Sequence, residues 1–247
     1  MGTKICAYNA IFEVTRRCNL SCEHCLRGDA QNLDMTKETV DKVLDHIESI
    51  GCLTFSGGEP TLNIPIIRYI FSEIWRREIP LDSFYVVTNG LVNQMELAQV
   101  LLENIPYCNE PDMCGVSIST DIFHDNNKEA FLSPIRYLSF SNKDKEAGDY
   151  NGGRGIILRG RAAVNDFNGG WVDNPTIDFE ENAEYDGSRD CICLSDDFYV
   201  SAAGEICADC NLSYEMMQDY FVTTVDALPQ FIEELKVEEE ESANHAA

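Results

Sequence analysis

Positive charge is what this chain has least of: 18 Lys and Arg stand against 43 Asp and Glu in 247 residues, a formal net charge of −25. Nucleic acid is excluded as a partner on that ground, because phosphate contacts need clustered Lys and Arg. No apolar run reaches the length of a membrane span, and the first residues lack the charged start and apolar middle of a signal peptide. Histidine is scarce as well. His24, His46, His124 and His245 are the full set, so acid–base chemistry by imidazole is not the expected mechanism. These absences predict a cytoplasmic chain with no membrane role, and the acidity favours a neutral or basic partner such as a peptide segment. With 44% hydrophobic residues, the chain can bury one substantial core and a small appendage.

Cysteine, by contrast, is plentiful, and three of the eleven fall within eight residues, as Cys18, Cys22 and Cys25 in RRCNLSCEHCLRG. CxxxCxxC supplies three thiolates where a four-iron cluster takes four, and an iron left without a protein ligand is where a small molecule binds. A zinc site completed by His24, or a set of redox-active thiols, is the other reading of the same residues. Downstream, LTFSGGEPTL takes an apolar strand at residues 53–55 into a tight turn of Ser56, Gly57, Gly58, Glu59 and Pro60. The two glycines allow a backbone approach to a ligand that a side chain would block, and Pro60 suits a turn or the first turn of a helix.

The rest of the first two thirds alternates. Strands are predicted at 83–90 (SFYVVTNG), 114–121 (CGVSISTD) and 155–162 (GIILRGRA), and helices at 35–50, 64–78 and 94–104 from apolar residues at three- and four-residue spacing. This alternation argues for α/β architecture with a parallel sheet and at least five strand–helix units. Polar residues gather at the carboxyl ends of the strands, where α/β barrels place their sites: Thr88, Asn89, Ser117, Ser119 and Asp121. Each of these also suits an ordinary polar cap. Arg159 and Arg161 share a strand face by the period of two, and either matches a carboxylate bidentately. From about Asn142 the texture turns polar and glycine-rich. Residues 164–190 show little periodicity; they hold a last strand around 176–179 or a loop over the barrel mouth, with Trp171 expected to anchor into the core.

Four more cysteines follow, Cys191 and Cys193 as CxC and Cys207 and Cys210 as CxxC. The intervening DDFYVSAAGEIC predicts a hairpin of 198–200 with 205–207 turning at Ala202, Ala203 and Gly204. A hairpin that joins two cysteine pairs makes a four-thiolate site for an iron–sulfur cluster or zinc. Cys6, Cys52, Cys108 and Cys114 are expected in the core, with Cys108 and Cys114 the weak candidates for a donor thiol. KVEEEESANHAA reads as an acidic, disordered tail.

CxxxCxxC followed by GGEP resembles the signature of the radical S-adenosylmethionine (radical SAM) superfamily. The resemblance implies a partial (β/α)6 TIM-like barrel over 1–163, then a connection or last strand over 164–190. A cysteine-rich β-hairpin extension with a final helix over 191–235, similar to a short SPASM or twitch segment, and the tail 236–247 would complete the chain. It implies a 4Fe–4S cluster on Cys18, Cys22 and Cys25 whose open iron chelates S-adenosylmethionine. Ser56, Gly57, Gly58, Glu59 and Pro60 would bind the methionine amino group, and Thr88, Asn89, Ser117, Ser119 and Asp121 would stand near the ribose and methionine. Arg159 or Arg161 would pair with the cofactor's carboxylate. A second, auxiliary iron–sulfur cluster would sit on Cys191, Cys193, Cys207 and Cys210, with zinc the less favoured occupant.

The activity so implied is reductive cleavage of S-adenosylmethionine to a 5′-deoxyadenosyl radical that abstracts a substrate hydrogen, with electrons from a flavodoxin or ferredoxin. The expected outcome is oxidative modification (crosslink, thioether or epimerisation) of a ribosomally made peptide; no separate leader-binding domain precedes the barrel, which counts against it. A glycyl-radical-enzyme activase, a small-metabolite enzyme, and a non-catalytic iron–sulfur or zinc sensor or scaffold are the alternatives.

Overall fold

The structure is a computed structural model that describes residues 2–119, 123, 135, 156–165, 170–172, 174–179 and 182–246. Its sheet is built on β1 (Lys4–Thr15), flanked in parallel by β2 (Ile47–Gly57) on one side and β6 (Cys191–Val200) on the other. β2 continues to β3 (Leu81–Thr88) and β3 to β4 (Gly115–Ile118), both parallel. β5 (Ala183–Asp186) and β7 (Glu205–Cys207) pair with β6 antiparallel, and β8 (Thr223–Thr224) closes the far edge on β7. The α/β class and the parallel sheet are as the alternation predicts.

Helices α1 (Lys37–Leu44), α2 (Ile64–Arg76) and α3 (Gln94–Asn104) make the crossovers. Thr36 caps α1 by accepting from the Thr39 amide, a typical helix start. α2 lays Ile66, Ile67, Ile70, Phe71 and Ile74 into the core that β1, β2 and β3 share, as its helical spacing requires. Residues 47–50, predicted as the end of the first helix, instead open β2. Ile47 and Ile50 are buried there because the neighbouring strands cover both.

The second half departs further from expectation. In place of a strand over 155–162, the described residues form a single bridge between Ile157 and Trp171, followed by the short helix α4 (Gly160–Asn165). Gly160 adopts φ +53°, and an extended run cannot pass through that left-handed conformation. Trp171 is 45% exposed rather than a core anchor; its backbone, not its ring, is what Ile156 and Leu158 hold. Residues 176–179 form no strand. The hairpin between β6 and β7 forms in the predicted register, with Tyr199 opposite Cys207 and Val200 opposite Ile206. The acidic tail is not a disordered end: α5 (Leu228–Ala246) runs through it, because Glu and Ala favour helix strongly and like-charge pairs at four-residue spacing cost only tenths of a kcal/mol. Leu228, Ile232 and Leu235 bury its first half.

Candidate functional site

Three parallel strands end at one cavity of about 390 Å³. The loop after β1 contributes Cys18, Leu20, Cys22, His24, Cys25, Leu26, Gly28 and Ala30; the loop after β2 contributes Ser56, Gly57, Gly58 and Glu59; the end of β3 contributes Val87, Thr88 and Asn89. Ser119, Ile156, Ile157, Arg161, Asn211 and Tyr214 complete the wall. Sites at the carboxyl ends of parallel strands follow from the topology of α/β folds.

The cysteine loop is held from several directions. Arg161 donates from its side chain to the Cys22 carbonyl at 2.9 Å, and its backbone N–H donates to Cys25 O at 3.0 Å. Gly160 lies so close to the loop that a Cβ there would stand 2.4 Å from both Gly28 N and Leu26 O. Arg27 reaches away from the cavity and donates to the carbonyls of Leu212 (2.5 Å) and Cys210 (2.7 Å). Cys18 accepts from the Leu20 amide at 3.4 Å, and burial pushes its thiol above the ordinary range. Cys18, Cys22 and Cys25 remain half-buried and face one space.

Gly57 and Gly58 are required by a different neighbour from the one predicted. A Cβ on Gly57 would meet Thr15 O at 2.2 Å, and one on Gly58 would meet Arg17 O at 2.3 Å. The close approach is thus to the backbone leaving β1, to which Gly58 N and Glu59 N donate. Glu59 is fully buried and turned inward. It accepts from Thr61 N (3.1 Å), Thr61 Oγ1 (2.7 Å), Thr88 Oγ1 (2.6 Å) and Asn89 N (2.8 Å). Burial pushes its carboxyl up, opposed by those four donors. Glu59 therefore locks the loop after β2 to the end of β3 and makes one rigid rim. Pro60 starts a 3-10 turn over Pro60–Asn63 and does not line the cavity.

Of the other predicted contacts, Thr88, Asn89 and Ser119 line the cavity, while Ser117 is buried in β4 outside it. Asp121 lies outside the described residues. Arg159 is buried and pairs with Asp209 at 3.1 Å, and Arg161 braces the cysteine loop; the strand face that would have aimed both at one carboxylate does not form. Cys108 and Cys114 are packed in the core at the entry end of β4, away from the cavity, which removes them as hydrogen donors. Tyr214 and Asn211 went unpredicted, because no motif marks them; the Arg27 contacts to their segment carry them to the wall.

The four later cysteines do not converge. Cys207 is buried among Ile11, Tyr199, Leu212, Tyr214 and Met217, and burial pushes its thiol up to about 12. Cys193 lies six residues before Tyr199, the partner of Cys207, about 20 Å along the strand at the usual rise. Cys191 and Cys193 meet Cys6 instead, because β6 runs parallel to β1 and sets Cys193 opposite Cys6.

Compared with known proteins, residues 12–138 match the Radical SAM superfamily profile. The chain is 28% identical over 138 residues to a GTP 3′,8-cyclase of Chlorobaculum tepidum, covering 53% of this chain and 37% of that protein. It is 31% identical over 142 residues to an Fe-coproporphyrin III synthase of Methanosarcina barkeri, covering 52% and 32%. The chain thus spans well under half the length of these relatives. The solved structure of anSMEcpe with bound AdoMet and peptide aligns at TM-score 0.48 and 14% identity, covering 95% of this chain and 82% of that one.

Proposed function

We propose that this chain, which belongs to the radical SAM superfamily, is an enzyme that removes a hydrogen atom from a peptide substrate. The family's cofactors are a 4Fe–4S cluster and S-adenosylmethionine, and the residues present fit them. Cys18, Cys22 and Cys25 line one cavity, yet they are not among the ligand atoms that lie within 4.8 Å of one another. Such a spread suits a cluster of several irons better than a single ion. When bound, the pair supplies one-electron cleavage of S-adenosylmethionine and hydrogen abstraction.

The chain's own residues bind and shield. Cys18, Cys22 and Cys25 would hold the cluster as thiolates, and Arg161 and Gly160 fix the loop that carries them. The amides of Gly58 and Glu59 are already donated to Thr15 O and Arg17 O, and Glu59 O accepts from Leu62 N, so the turn would receive an ammonium group through its other carbonyl oxygens. Asn89 and Ser119 offer polar contacts along the rim, and Leu20, Leu26, Ile156 and Ile157 exclude water from the interior.

The peptide reading rests on one observation. Trp171, the bridge partner of the cavity-lining Ile157, and the next residue Val172 are exposed at 45% and 74%, and exposed apolar side chains beside a cavity mark an interaction surface. A small-molecule substrate is the second reading, favoured by the activities for which the two enzyme relatives are named.

Anaerobic reconstitution with iron and sulfide, followed by assay of 5′-deoxyadenosine with dithionite, tests the enzyme. Wild type should yield the product, and C18A/C22A/C25A should not. Equal yields, or none from fully loaded wild type given candidate peptides and nucleotides, would overturn the proposal. Stimulation by peptides but not by nucleotides would support the peptide reading.

A further inference from the structure

We infer that Cys6, Cys191 and Cys193 form a second metal site, for a single thiophilic cation of the copper(I) or zinc(II) class, at the end of the sheet opposite the cavity. The fold itself brings these thiols together. β6 runs parallel to β1 with Cys193 opposite Cys6, and Cys191, two residues earlier, projects to the same face. The three sulfurs lie within 4.8 Å of one another, with Cys6 and Cys191 2.8 Å apart. A cation about 2.3 Å from each sulfur would set them about 4 Å apart, so the set closes on one ion with small side-chain shifts. Among the described residues no other group of His, Cys, Asp or Glu gathers this tightly.

Chemistry selects the class of ion. All three donors are sulfur, which favours copper(I) and zinc(II) over the oxygen-seeking magnesium, calcium and manganese. Cys6 and Cys191 are buried while Cys193 is half-buried, which leaves one side for an ion to enter. A cationic group faces that side: the Arg189 side chain donates to Cys193 Sγ at 3.5 Å and is itself held by Asp186 at 2.8 Å. Burial pushes the Cys193 thiol up, and the Arg189 guanidinium opposes that shift. A metal binds cysteine as the thiolate, so occupation of the site would release protons to solvent.

The site is separate from the one on the cysteine loop. Thr15, the last residue of β1, lies nine positions after Cys6, about 30 Å along at strand rise, and the cavity is lined from Cys18 onward. An ion here would staple β6 to the start of β1. It is also a different set from the four-cysteine group that the spacing of the last cysteines suggests.

The test uses the full chain, reduced and anaerobic, carrying C18S/C22S/C25S so that the first site is silent. Cadmium titration, followed by thiolate-to-metal absorption in the ultraviolet, should show one tight equivalent. C6S and C193S should each abolish that step with circular dichroism unchanged, and C207S/C210S should leave it intact. Competition with copper(I) and zinc(II) then identifies which ion the site prefers. A tight step that survives C6S, or is lost in C207S/C210S, would overturn the assignment. So would a Cys6–Cys191 disulfide in protein prepared without oxidant, or uptake of iron and sulfide in place of a single ion.

Discussion

Arg161 holds two carbonyls of the cysteine loop at once, Cys22 through its side chain at 2.9 Å and Cys25 through its backbone amide at 3.0 Å. The side-chain half is a charge-assisted hydrogen bond, worth about 1.5–3 kcal/mol. Arg161→Ala removes that half and leaves the backbone half. The loop should loosen without losing its ligands, so the reconstituted variant should surrender iron to a chelator about tenfold faster than wild type. Iron release followed by absorbance checks this, and unchanged release would mean that the cysteines are held by the loop's own turns alone.

Glu59 is the acceptor on which Thr61, Thr88 and Asn89 converge. Glu59→Ala leaves buried donors without a partner, at about 1–3 kcal/mol for each unmet group; allowing for relaxation, a total loss of about 3 kcal/mol is expected. Glu59→Gln keeps one carbonyl oxygen and should cost less. Urea unfolding of both variants measures the difference. If Glu59→Ala proved as stable as wild type, the rim would be held by the glycine contacts with β1 rather than by this carboxylate.

How much of this was legible beforehand follows the range of the interaction. α2, α3, β3 and β4 each carry a local period, and the sequence places all of them within a few residues. The cysteine loop and the glycine turn are contiguous motifs, and both line the cavity as expected. Pairings between distant segments were not legible. The last cysteines are spaced as though Cys191 and Cys193 would meet Cys207 and Cys210, but the register of β6 on β1 gives them Cys6, which lies 185 residues from Cys191. Arg159 and Arg161 fit a strand by parity until Gly160 turns the chain. Tyr214 belongs to no motif, and contacts from distant Arg27 and Arg16 hold it and its segment beside the cavity.

The first half of α5 is tied to the sheet by a polar cluster with a definite pH response. Lys236 donates to Asp190 at 2.7 Å, joined by Thr3 and Tyr185, each at 2.9 Å. Lys236 first, then Thr3 and Tyr185, hold the Asp190 carboxyl down at about 2 against an ordinary 3.8. A carboxyl lowered in the folded state binds fewer protons there than in the unfolded chain. Its stabilisation is therefore complete above the ordinary value and is lost as the pH falls through about 2. The difference in melting temperature between wild type and Asp190→Asn should be constant above about pH 5, shrink below it, and vanish only as the pH falls below about 2, toward about 1. A difference that persists unchanged at pH 2 would assign the effect to the hydrogen bonds with Thr3 and Tyr185 rather than to charge.

Tyr214 separates a binding role from a structural one. Its ring lies under the Arg16 guanidinium at 4.7 Å, and its backbone amide donates to Arg27 O at 3.0 Å. Its hydroxyl is buried and has no hydrogen-bond partner among the described residues, although the residue lines the cavity. Burial pushes that phenol up, so it stands at neutral pH as an O–H with nothing to donate to. An unpaired buried hydroxyl costs about 1–3 kcal/mol, and its removal leaves packing intact. Tyr214→Phe should therefore be as stable as wild type or more stable, by up to about 1–2 kcal/mol in urea unfolding. If the hydroxyl is kept to meet a ligand, the same variant should bind S-adenosylmethionine or substrate about five- to tenfold more weakly, the loss of one hydrogen bond. Equilibrium dialysis on the reconstituted protein reads the second quantity independently of the first. Greater stability with weaker binding identifies Tyr214 as a ligand contact, whereas reduced stability with unchanged binding would make it a packing residue of the cluster around Cys207.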